Sequence, residues 1–367
     1  MRTPPLSRRQ LLHTLGAATA LKAAPALAAA QAGQLPATGS LTDVGGLRVG
    51  HFTDARRPTG CTAILFDKPA TAGVDYDGSA PGESLGVVLQ PVSPVDQIHA
   101  ILLTGGGPMA LGATAGVVRF LEERRIGYDW GVPNIRVPLV IGAVIDDLAI
   151  GDGHIRVGPD EAYRACQSAA ATPFAEGSVG VGAGATVGKM LVGRGMKGMK
   201  GGIGTASARF GDVTIAALVV VNAAGDILDW REGTIIAGAR TADGRGFARS
   251  VDVLRRDLQA GSASAAPLSD EPLHATTLSV VATNVALTKT ALTKLAMMAN
   301  TGGARAINPY HTQGDGDQVL AISTGLLGRD VSLTAIGAIA SEVVADAIGR
   351  AVRMATSVPG WTAIRDL

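Results

Sequence analysis

The stretch EPLHATTLSVVATN, residues 271–284, joins two kinds of chain. On its left, residues 256–275 (RDLQAGSASAAPLSDEPLHA) carry Gly, Ser, Ala and Pro with no apolar periodicity, the composition of a solvated linker. On its right, Thr277, Leu278, Val280, Val281 and Thr283 predict a buried strand. The junction falls at Ala275-Thr276, and the residues alone leave two readings open. Threonine opens strands on propensity grounds. Alternatively, Thr276 is a nucleophile: cutting the bond before it frees an α-amine beside its own hydroxyl, which supplies the base a hydroxyl otherwise lacks at neutral pH. The cut would run through attack of Thr276 Oγ on the Ala275 carbonyl, an N-to-O acyl shift and hydrolysis of the ester.

Beyond the junction, Thr288 opens a predicted helix with Ala291, Leu292, Leu295, Met298 and Ala299 on its apolar side and Gly302-Gly303 as its stop. A strand over Gln318–Thr324 and a long helix from about Ser332, with Ile336, Ile339, Val343 and Ile348 on one side, complete this part. Before the linker, strands are expected at Leu47–His51, Ala63–Phe66, Ala100–Thr104, Val137–Ile145 and Val213–Val221. Helices are expected with Leu111, Ala115, Val118 and Leu121 on one face, and over Glu161–Ala171. The part after the junction is too small and apolar to stand alone, so the pattern reads as one domain interrupted by an exposed loop.

The 367 residues are 47% hydrophobic but only 4% aromatic, with 49 glycines, so a large core is built mainly from Ala, Val, Ile and Leu. A formal net charge of +1 gives no whole-surface bias toward nucleic acid or an anionic membrane. Residues 1–30 read as a twin-arginine export signal: Arg8-Arg9 precede the apolar LGAATALKAAPALAAA, which ends in Ala28-Ala29-Ala30. No other segment reaches the roughly 18 uninterrupted apolar residues of a membrane span, and a soluble periplasmic protein is expected. Cys61 and Cys166 are expected to be buried free thiols, although a pair in an oxidising compartment stays open. The six histidines form no metal-binding spacing, so neither metal nor cofactor is expected.

The glycine-rich VGVGAGATVGKM, residues 179–190, fails both nucleotide patterns. It lacks the acidic residue of a dinucleotide fingerprint, and a phosphate loop ending at Lys189 would need glycine at Ala183 and a hydroxyl at Met190. What remains is Lys189 among residues small enough for backbone or ligand to come close; a surface lysine paired with a carboxylate is the alternative. The GDGD of QGDGDQV reads as a solvated turn or a calcium loop on its own.

The segments LTDVGGLRVGHFTDARRPTGCTAILF, ILLTGGGPMALGATAGVVRFLEERRIGYDWG, VGAGATVGK, MKGGIGTAS and TTLSVVATNVALTKTALTKLAMMANTGGARAINPYHTQGDGDQVLAISTG occur in one order over residues 41–360. Together they resemble the DmpA-type aminopeptidase family, which includes L-aminopeptidase/D-esterases, β-peptidyl aminopeptidases and the nylon-oligomer endohydrolase. The resemblance implies an α/β fold, a four-layer αββα sandwich of the DmpA and ornithine acetyltransferase type. It also implies self-cleavage between Ala275 and Thr276, giving chains 31–275 and 276–367 that stay together, and a homotetramer of such processed αβ pairs. By motif, Thr276 would be the nucleophile and Lys189 would steer protons near it. Asn222 would donate to the oxyanion, and Asp315 and Asp317, two apart on one face of a strand entrance, would bind the hydroxyl and its amine.

Two positions depart from the family pattern: Ala275 stands where Asn or Gly is common, and Asp146 where Tyr or Phe is common. The expected activity is hydrolysis of small peptides, amino acid amides or amide oligomers through an acyl-enzyme. The rivals are acyl transfer of the ornithine acetyltransferase type and a periplasmic binding protein that keeps only the fold.

Overall fold

The computed structural model describes residues 38–261 and 275–367. The export segment 1–30 and most of the linker, 262–274, therefore lie outside the described residues. Gly39–Leu367 form one compact unit.

Its frame is a nine-stranded mixed sheet built from β1 (Leu47–Thr53), β2 (Gly60–Asp75), β3 (Gln97–Thr104), β4 (Val140–Val144), β5 (Gly202–Phe210), β6 (Val213–Asn222), β7 (Thr276–Val285) and β8 (Gln318–Leu327), with the short Glu83–Ser84 on β4. The order is β5-β6-β7-β8-β2-β3-β4, and β1 also pairs with β2. β7 lies antiparallel to β6 and parallel to β8.

β2 belongs to both halves of the sheet. Its first half pairs with β1 (Leu47↔Phe66) and β3 (Ile64↔Ile101), its last residues with β8 (Val319↔Asp75), and the register shifts between Leu65 and Ala70. The sheet thereby folds over, and alternation along each strand sends every second residue inward. One apolar cluster takes Ile64, Ile101, Leu103 and Ile141 from the first half and Leu218, Val220, Leu278, Val280, Leu320 and Ile322 from the second. Burying each such side chain contributes about 1.5–3 kcal/mol.

The outward residues Cys61, Ala63, Leu65 and Leu102 meet Val117, Phe120 and Leu121 of α1 (Thr114–Glu122) and Ala162 and Ala165 of α2 (Pro159–Gln167). On the other side α4 (Lys289–Ala306) lies so close to β2 that a Cβ at Gly73 would meet the Thr293 nitrogen at 2.5 Å. Gly204 of β5 is pressed against the Ala347 carbonyl of α5 (Leu333–Arg353) in the same way. The layers run α, β, β, α, as the resemblance implied.

Several local expectations need correction. β2 runs on past Phe66 because Asp67, Lys68 and Pro69 are exposed at its bend rather than ending it. Pro138 separates Arg136–Val137 from β4. α1 buries Gly116, Val117, Phe120 and Leu121, and Ala115 faces outward. α2 starts two residues earlier and stops at Gln167. The presumed linker begins with a helix, α3 (Ser250–Gln259). α4 continues through Gly302-Gly303 to Ala306, because those glycines admit the Ser341 carbonyl of α5 and the Tyr310 ring. Among the described residues no helix is long and apolar enough to cross a membrane, and Cys61 and Cys166 are buried and free.

Candidate active site

The β6/β7 register sets Asn222 directly opposite Thr276, the last residue of one strand against the first of the other. Both continue the inward series of Val220 and Leu278, so they share one end of the central layer. Thr276 is 7% exposed. Its Oγ donates to the Ala275 carbonyl at 2.6 Å, and the same oxygen accepts the Gly316 N–H at 3.0 Å.

Asn222, wholly buried, is held from three sides. Its Oδ1 accepts Lys189 Nζ at 2.8 Å and the Thr186 N–H at 3.0 Å, while Nδ2 donates to the Asp146 carbonyl at 3.1 Å. Lys189 enters on a turn that needs Gly188 at φ 67, a left-handed position suited to glycine. Burial lowers the Lys189 pKa to about 7, against the upward pull of the carboxylates of Asp315, Asp146, Asp147 and Asp317. A lysine so tuned can give a proton as the ammonium and take one as the amine near neutral pH.

Beneath it, the glycine run wraps a second lysine rather than a phosphate. Lys200 is fully buried and donates to the carbonyls of Gly182 and Ala185 at 2.8 Å and of Gly201 at 3.0 Å. Burial lowers its pKa to about 7. Asp147 fixes the neighbouring loops by an ion pair with Arg57, a bond from Thr59 Oγ1 at 2.7 Å and one from the Gly106 N–H at 2.9 Å. Asp146 is partly buried; its carbonyl orients Asn222, and its Oδ1 accepts the Leu148 N–H at 2.9 Å.

The acidic pair lies across the ladder. Asp317 Oδ1 accepts the Thr277 N–H at 2.6 Å, and Oδ2 accepts the His311 N–H at 3.2 Å. Asp315 Oδ2 accepts the Thr312 N–H at 2.7 Å, whereas its buried Oδ1 has no hydrogen-bond partner among the described residues. Burial first, then the Asp317 charge, raises the Asp315 pKa. In the intact chain, therefore, neither carboxylate bonds the Thr276 hydroxyl. Thr276, Lys189, Asn222, Asp315 and Asp317 nonetheless converge on one end of the sandwich.

Sequence reasoning missed the shell behind the acids. His311 Nδ1 lies 3.2 Å from Asp317 Oδ2, and its ring stacks on Tyr310 with centroids 3.7 Å apart. Asn300 Nδ2 donates to Asp75 at 2.9 Å and Asp77 at 3.0 Å, and its Oδ1 accepts the Tyr310 hydroxyl at 3.0 Å. Only the NPYH run just before QGDGDQV hinted at it.

The frame is thus a folded-over sheet flanked by helices, with Thr276 at the head of a central strand. Solved structures share it. The Burkholderia sp. beta-aminopeptidase aligns with a TM-score of 0.63 at 23% identity, covering 88% of this chain and 89% of that one. The L-aminopeptidase D-Ala-esterase/amidase from Ochrobactrum anthropi, described as a variant of the Ntn hydrolase fold, aligns with a TM-score of 0.62 at 23% identity over 88% and 89%.

Residues 39–364 match peptidase family S58, and the chain belongs to that family. It is 38% identical over 352 residues to an uncharacterized aminopeptidase of Mycobacterium tuberculosis, covering 89% of this chain and 97% of the relative. It is 35% identical over 319 residues to a 6-aminohexanoate-oligomer endohydrolase of Agromyces sp., covering 83% and 84%. The chain is a hydrolase of peptide or amide bonds.

Proposed function

We propose that this chain is a self-processing amidohydrolase that cuts itself before Thr276 and then cleaves small peptides, amino acid amides or amide oligomers from the new N-terminus. The observation that carries the reading is the pairing of Thr276, at the head of β7, with Asn222 of β6, whose Oδ1 accepts Lys189 Nζ. In turnover, the freed α-amine takes the Oγ proton as Oγ bonds to the substrate carbonyl carbon. The C–N bond breaks and the amine product leaves with that proton. Water then opens the Thr276 ester by the same route in reverse. The unpartnered Oδ1 of Asp315 offers a partner to the new amine, and Lys189, with its pKa near 7, exchanges protons at the rim.

The two fragments, 31–275 and 276–367, form one folded unit on this reading. Export through the twin-arginine segment places them in the periplasm, and a homotetramer of processed pairs is the expected assembly. Intact mass and N-terminal sequencing of the purified protein test both cuts, near Ala30 and after Ala275. A single uncut polypeptide with full amidase activity overturns the mechanism.

A further inference from the structure

Where the β7/β8 ladder ends, one carbonyl oxygen has two donors: the Ala275 oxygen accepts the Gly316 N–H at 3.0 Å and Thr276 Oγ at 2.6 Å. A Cβ at position 316 would stand 2.9 Å from Thr276 Oγ and 2.6 Å from the Ala80 carbonyl. Only a residue without a side chain lets this stretch of backbone come so near the hydroxyl.

When Thr276 Oγ attacks Ala275, the C–Oγ bond forms and the carbonyl π pair moves onto the oxygen that Gly316 already holds. Collapse breaks the C–N bond, and the nitrogen takes the proton that Oγ gave up. The product is an ester of Ala275 on Thr276 Oγ, which water hydrolyses to a carboxylate and the free hydroxyl. The acyl-enzyme of turnover is the same functional group on the same Oγ, so its carbonyl meets the same surroundings. Once the Ala275 carboxylate moves away, the Gly316 N–H has lost its ladder acceptor, and a buried N–H left unpaired is costly. Asn222 Nδ2, by contrast, is already directed at the Asp146 carbonyl.

We propose that the backbone N–H of Gly316 is the oxyanion donor twice: to Ala275 during self-cleavage, and to the substrate carbonyl in every turnover. This rests on Thr276 being the nucleophile, and the test separates the two claims. The processed protein is soaked with leucinal and its structure solved. The expected result is a hemiacetal on Thr276 Oγ with its oxygen about 3 Å from the Gly316 nitrogen. An adduct on Thr276 whose oxygen turns to Asn222 Nδ2, more than about 4 Å from Gly316, overturns the donor assignment and leaves the nucleophile standing. An uncut chain without an adduct overturns the nucleophile reading itself. In solution, Gly316→Ala should lengthen the precursor half-life at least about 100-fold; processing at the unaltered rate overturns the proposed approach.

Discussion

Replacing Asn222 by aspartate tests whether Lys189 sets the pH dependence of this site. The substitution keeps an oxygen for Lys189 Nζ and the Thr186 N–H, but turns the group that donates to the Asp146 carbonyl into a second carboxylate oxygen. A full negative charge then sits where the lysine contact is 2.8 Å, worth about 6 kcal/mol at an effective dielectric of about 20. That equals about four pH units on the lysine. Losing the donor to Asp146 and burying the new charge remove part of it, about 1–3 kcal/mol for the donor alone. Lys189 should rise from about 7 by about one to three units. A raised pKa keeps the ammonium to higher pH, so the acid limb of the rate moves upward, and at neutral pH hydrolysis falls about 5- to 500-fold. The assay is kcat/KM for an aminoacyl anilide from about pH 5 to about pH 10, on protein shown by intact mass to be processed. A uniformly slower rate with the limb unmoved refutes Lys189 as the titrating group.

Thr276→Ala should give one uncut chain without amidase activity, and Thr276→Ser should retain both reactions at reduced rates; mass spectrometry and anilide hydrolysis read each. Lys200→Met leaves three buried carbonyls without their donor, at about 1–3 kcal/mol each before relief of the buried charge, so thermal melting should fall by about 5 °C or more. Burial holds Lys189 and Lys200 at about 7, below their ordinary 10.5. Between those values the unfolded chain keeps protons the folded one has released, so stability should rise with pH across that window; melts at about pH 7 and about pH 9 check it, and Lys200→Met should flatten the slope. The Cys61 and Cys166 thiols are buried, and burial pushes Cys166 up to about 12, so iodoacetamide should label neither in the native protein and both after unfolding.

The central strands were legible because both faces are buried: Val213–Val221 and Gln318–Thr324 are runs no other element explains. Where packing overrode composition the reading failed. Gly302-Gly303 read as a stop and are instead the contact that seats α4 on α5, and exposed Asp67-Lys68-Pro69 concealed the bend of β2. Lys189, Asn222, Asp315 and Asp317 were reached through family resemblance, and strand register brings them together with Thr276. Lys200 was beyond reach, and for the His311–Asn300 shell the NPYH run was the sole hint. Their partners lie on segments whose proximity follows from folding the sheet over, which no local pattern encodes.

β7 and β8 sit in the middle of the sheet, with β6 on one side and β2 on the other. A cut after Ala275 would therefore produce two interleaved pieces, neither owning a complete sheet. The native pair could not drift apart without general unfolding. Once denatured, however, its halves would have to find each other by collision, so renaturation yield should depend on protein concentration for the mature form and not for its precursor. Scission would make assembly a one-way step, with the continuous chain as the sole form in which a single molecule carries everything needed to fold.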